Sequence, residues 1–119
     1  MLGYKAFGAG LPIPLAAALF DAGAGIAAAG TTQGTATALT ADYNRISTVA
    51  ASSGVGLPNC EIGDWVVVYN AGANPVTVYP PTSGTINQIA ANGGVLLAVN
   101  TECIFRKWTA TIWTGNLSA

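Results

Sequence analysis

Residues 63–81, GDWVVVYNAGANPVTVYPP, constrain the fold more than any other part of the chain. Trp65-Val66-Val67-Val68-Tyr69 is a β-branched and aromatic run, the composition that fits a pleated, half-buried surface. Asn70-Ala71-Gly72-Ala73-Asn74 follows, with a glycine and two asparagines for backbone positions that need φ > 0. Pro75 opens the return run Val76-Thr77-Val78-Tyr79, at a strand position that tolerates a missing N–H, and Pro80-Pro81 ends it. The stretch reads as a β-hairpin, with Val76 and Val78 on one face and Thr77 and Tyr79 on the other.

The same grammar continues from residue 31 onward. Short β-rich runs stand at 31–39, 45–50, 55–57, 85–89, 95–99, 103–108 and 112–114. Turn residues separate them, Asn92-Gly93-Gly94 most strongly. Ile46, Val49, Ile86 and Ile89 are the expected inward residues of their runs, and Ile112-Trp113-Thr114 is expected to return beside Phe105. About seven or eight short strands at this spacing predict an all-β chain, a small β-sandwich or barrel of jelly-roll-like form spanning 31–119. Residues 1–30 differ. They are rich in Ala and Gly, carry Pro12 and Pro14, and read as an extended N-terminal arm for assembly contacts, with a helical turn or two at 15–20. Gly8, Gly10, Pro12 and Pro14 break the pattern of a signal peptide. The apolar run stops at Asp21, short of the ~20 residues of a membrane span.

Charge narrows the function. Only 8% of residues are charged, where soluble domains average about 25%. A surface so poor in charge predicts a chain covered by copies of itself or by a larger assembly. Net charge is −1 and no basic patch exists, which argues against nucleic-acid binding. With no histidine, neither a Ser-His-Asp nor a His-based metal arrangement is available. Cys60 and Cys103 are too few for a zinc site; they are two small buried thiols or one disulfide. Glu61 and Asp64 fit turn chemistry. No catalytic set, cofactor motif or metal set emerges, so the expectation is a protein that is not an enzyme. Trp65, Trp108 and Trp113 serve packing or interfaces in the commoner case and sugar stacking in the rarer one; Trp108 and Trp113 are the candidate interface or ligand aromatics.

The pieces Leu57-Pro58, Gly63 to Asn74, Val78-Tyr79-Pro80-Pro81 and Gly84-Thr85-Ile86-Asn87, closed by an aromatic strand at Phe105 and by Trp113, resemble small virion proteins of tailed bacteriophages over about residues 31–114. The resemblance implies a β-rich, homotrimeric module without cofactor, on the outer surface of the capsid as a decoration or cement protein. There it would bind the major capsid protein and stabilise the head by bridging capsomers. A short chain beginning at Met1 fits the head better than a long fibre shaft. In that setting residues 1–30 are the clamp, with Leu11, Pro12, Ile13, Pro14, Leu15 and Phe20 as assembly contacts. The alternatives are a tail-fibre or spike module binding host-surface carbohydrate, and a small extracellular carbohydrate-binding domain with a Cys60–Cys103 disulfide. None of these involves nucleic acid or a membrane.

Overall fold

A computed structural model describes residues 22–117. It is all-β: ten short strands in two sheets, with no helix among the described residues. The strands are β1 (Ala22–Ala27), β2 (Thr37–Ala38), β3 (Tyr43–Thr48), β4 (Gly54–Gly56), β5 (Trp65–Asn70), β6 (Val76–Tyr79), β7 (Thr85–Ile86), β8 (Val95–Leu97), β9 (Glu102–Lys107) and β10 (Ile112–Gly115). A six-stranded sheet has the order β1-β3-β5-β9-β10-β7, and a four-stranded sheet has the order β2-β4-β6-β8.

The chain changes sheet at almost every step. β1, β3 and β5 are therefore parallel neighbours in one sheet, and β2, β4 and β6 in the other. Ala22, Tyr43 and Val67 stand in one row; Thr37, Val55 and Val78 stand in another. Each pass through both sheets makes one coil, and the coils stack like a solenoid. The C-terminal part then closes the stack with antiparallel pairs: β9 on β5, β10 on β9 and β8 on β6. β7 joins the far edge parallel to β10.

Alternation along the strands builds the core. On β5, Val66, Val68 and Asn70 are buried while Trp65, Val67 and Tyr69 are half-exposed. Ile46, Val66, Val68, Phe105 and Trp113 from the larger sheet meet Val55, Val76, Val78, Val95 and Leu97 from the smaller one. Each fully buried side chain of this size contributes about 1.5–3 kcal/mol through removal of apolar surface from water. On the smaller sheet, the Tyr79 ring lies against Gly54, where an added Cβ would sit 2.6 Å from its Cε2. Tyr79 also donates its hydroxyl to the Thr31 carbonyl at 2.9 Å.

Two expectations need correction. The stretch 63–81 is not a hairpin: β5 and β6 belong to different sheets. Both flanks of β5 are already taken, by β3 and β9, so the Asn-Gly-Asn-Pro segment turns a corner instead. Asn70 makes that corner. It is fully buried, and its Nδ2 donates to the carbonyls of Asn74 at 2.9 Å and Leu97 at 3.1 Å. Its Oδ1 accepts from the Gly72 amide at 2.9 Å. Nor is the architecture a jelly roll, whose strands pair antiparallel in Greek keys; here the first three strands of each sheet run parallel.

Smaller differences follow from local turns. The run 31–39 contributes only Thr37–Ala38, because Thr35 Oγ1 accepts from the amides of Thr31 and Thr32 and holds a turn before it. β7 stops at Ile86, since Asn87 and Gln88 both take positive φ, and Ile89 emerges 40% exposed. Ile46, Val49 and Ile86 are buried as expected, and Gly115 lies opposite Phe105 in the β9–β10 hairpin. β1 lies inside the segment read as the arm: residues 22–27 form an edge strand paired with β3. Leu11, Pro12, Ile13, Pro14, Leu15 and Phe20, with the helical turn expected at 15–20, fall outside the described residues.

Candidate functional site

The outer face of the six-stranded sheet gathers the aromatic side chains that the core does not use. Strand alternation and register place Arg106 between Trp65 and Thr114, Val67 between Tyr43 and Ile104, and Tyr69 between Arg45 and Glu102. Trp108, just past β9, extends the first of these rows, and its Nε1–H donates to Thr114 Oγ1 at 2.7 Å. Tyr43, Trp65, Tyr69 and Trp108 thus share one face, while Tyr79, Phe105 and Trp113 are buried.

Among the described residues three clefts open on this face, one of about 240 Å³ among Ile104, Arg106, Trp108 and Thr114 and two at opposite corners. Of the corner pair, one, about 320 Å³, lies among Gly63, Trp65, Arg106, Lys107 and Trp108. The other, about 220 Å³, runs along β1 between Ala22–Ala24 and the side chains of Tyr43, Arg45, Tyr69 and Glu102. The cations are held differently. Arg45 donates to the Ala24 carbonyl at 3.1 Å, and Lys107 Nζ to the Cys60 carbonyl at 2.6 Å. The Arg106 guanidinium lies 5.2 Å from the Trp65 ring centroid, a cation–π contact worth roughly 0.5–1 kcal/mol at an exposed site.

Of the two tryptophans singled out from the sequence, Trp108 is 59% exposed and belongs to this face. Trp113 does not: alternation along β10 turns it inward, 0% exposed, into the core. Trp65, which the sequence reading weighed with the other tryptophans but did not single out, is the partner; its register position opposite Arg106 is what brings it into the cleft. Among the described residues, no three His, Cys, Asp or Glu side chains come together as a metal set would require. No helix among them is long and apolar enough to cross a membrane.

Both cysteines are free thiols. Burial pushes the Cys60 thiol up, with Asp64 adding to the shift and Lys107 opposing it. Burial pushes Cys103 up to about 11, against an opposing effect of the Asn116 backbone. The folded chain therefore holds these protons more tightly than the unfolded chain, whose thiols ionise from near 9.0. Stability from this source is intact at neutral pH and is lost as pH rises from about 9 toward about 11. Thermal unfolding across that window should show the decline, and Cys103→Ser should flatten it. A decline of unchanged slope in Cys103→Ser would show that other groups carry it.

No family model, curated protein or solved structure matches the chain.

Proposed function

We propose that this chain is a non-catalytic structural protein of a tailed-phage virion, a decoration protein on the outer surface of the capsid. It associates as a trimer and bridges subunits of the major capsid protein. The resemblance over about residues 31–114 motivates the virion assignment, and the low charge supports a surface covered in an assembly. The observation that carries the attachment mode is the edge of the first coil. Among the described residues the other edge strands are only two or three residues long: β2, β7 and β8. β1 has six, AGAGIA, with neither a charge nor a proline of its own, although Arg45 of β3 donates to its Ala24 carbonyl and Thr37 to its Ala27 carbonyl. Its register shifts against β3 twist the edge but add no repulsive group. Natural sheets protect long edges, because unpaired backbone groups recruit further strands. An edge that no further strand covers among the described residues suits strand addition to a neighbouring shell protein. Repeated at symmetric sites, contacts of modest strength sum to a large stabilisation.

Gly25→Lys tests this. An added Cβ there has only Ser47 Oγ within reach, at 4.0 Å, so the fold accommodates the side chain while the edge gains a charge. Purified chain added to shells lacking it should co-sediment to saturation. The variant should lose attachment at least about tenfold, the effect of a charge guarding an edge strand, with its unfolding midpoint unchanged. Undiminished attachment of the folded variant would contradict the edge mechanism. A second reading, a tail-fibre or spike module that binds host-surface carbohydrate, draws on the exposure of Trp108 beside Arg106.

A further inference from the structure

We infer that the cleft between Trp65 and Trp108 binds an acidic saccharide, with Arg106 taking a carboxylate of the sugar and the Trp108 indole packing on its apolar face. The inference goes beyond the decoration reading and does not depend on where in the virion the chain sits.

Trp108 keeps 59% of its surface in water, although it is among the largest apolar side chains of the fold. Its ring does not swing freely: the bond from Nε1 to Thr114 Oγ1 at 2.7 Å fixes one orientation. A fixed, exposed indole is a platform whose ordering cost is already met by the fold. Arg106 stands next to it, in register with Trp65 and 5.2 Å from that ring. Among the described residues its guanidinium has no hydrogen-bond or ion-pair partner, whereas Arg45 and Lys107 both donate to backbone carbonyls. Five N–H donors in a rigid fork beside a hydrophobic plane match a carboxylate in bidentate geometry. The nearby carboxylate of Asp64 is turned away into its own turn, where Oδ2 accepts from the Glu61 amide at 3.1 Å.

The shape selects among anions. At about 320 Å³ the cleft is at the small end of the ~300–1,000 Å³ range of ligand sites. It lies open on a sheet face, so a wholly apolar ligand would stay half in water. A nucleic acid would need a row of free cations, and among the described residues the face offers one whose guanidinium or ammonium makes no hydrogen bond, Arg106. An acidic pyranose, a uronic or sialic acid, satisfies all three features: an apolar C–H face for the indole, hydroxyls that remain hydrated, and a carboxylate for Arg106.

The test titrates the intact chain with trigalacturonate and sialyllactose, and with their neutral counterparts galactotriose and lactose, by calorimetry and tryptophan fluorescence. Saturable binding is expected for at least one acidic sugar, with its neutral counterpart weaker by about tenfold or more, the worth of a charge-assisted hydrogen-bond pair. Arg106→Gln should lose the same factor, and Trp108→Ala should lose both the binding and the fluorescence change. Both positions are exposed, so unfolding midpoints should match the parent chain, and shell attachment should be retained. The inference is overturned if neither acidic sugar binds better than its neutral counterpart, or if Arg106→Gln binds as the parent does. Loss of shell attachment in Gly25→Lys with sugar binding intact would separate this site from the attachment edge.

Discussion

Trp113→Ala is expected to lower the unfolding free energy by about 3–5 kcal/mol, the usual cost of emptying a buried aromatic site. Trp113 is 0% exposed and heads the fully buried side chains by volume. It sits on β10 between β9 and β7, facing a core that includes Ile86 and Phe105. Strand pairs on both sides limit how far the walls can collapse into the cavity, which places the cost in the upper part of the range. Set against a total stability of about 5–15 kcal/mol, the loss leaves the chain marginal. Trp113→Phe separates packing from polarity. The indole Nε1 is buried with no hydrogen-bond partner among the described residues, so the phenyl ring removes an unpaired donor as well as some volume. Its cost should be far smaller, about 1–2 kcal/mol. Urea unfolding of both variants checks the pair. Equal losses would mean that the indole N–H is paired after all.

Asn70→Ala should cost nearly as much, for a different reason. Removing the amide leaves the buried Gly72 N–H and Leu97 carbonyl, and the half-buried Asn74 carbonyl, without this partner. Each stranded group costs about 1–3 kcal/mol, so a total of about 3 kcal/mol or more is expected. Asn70→Asp should be worse. It keeps an acceptor for Gly72 but turns a carboxylate oxygen toward two carbonyls. Hydrogen exchange at Gly72 gives a local readout: its protection should fall in Asn70→Ala further than that of β9 amides. A loss under about 1 kcal/mol would mean that the corner holds itself without the side chain.

This corner also shows where sequence reading reaches its limit. The strand β5 was legible because Trp65 to Tyr69 is a β-branched and aromatic run, and so were the alternation of Val76 to Tyr79 and the turn residues between the two. What the turn accomplishes was not legible. Asn, Gly and Pro serve a hairpin and a sheet-changing corner equally well; the choice depends on whether the flanks of β5 are free, and they are occupied by strands distant in sequence. Unequal spacing between equivalent positions such as Ala22, Tyr43 and Val67 hides the coil from any search for a fixed repeat. β1 was read as arm because Ala and Gly have weak strand propensity; pairing with β3 makes it a strand. In the candidate site, Trp108 was visible as an aromatic at a strand end. Its partner Trp65 and the core placement of Trp113 depend on register and on the phase of β10, which composition does not carry.

The most direct test of the central claim is cryo-electron microscopy of the particle that carries this chain. The account predicts density for the two-sheet domain on the outer capsid surface at three-fold or quasi-three-fold positions, with the β1 edge against a shell subunit. Density only on the tail or fibres, or a domain whose β1 edge faces away from the shell, would contradict it.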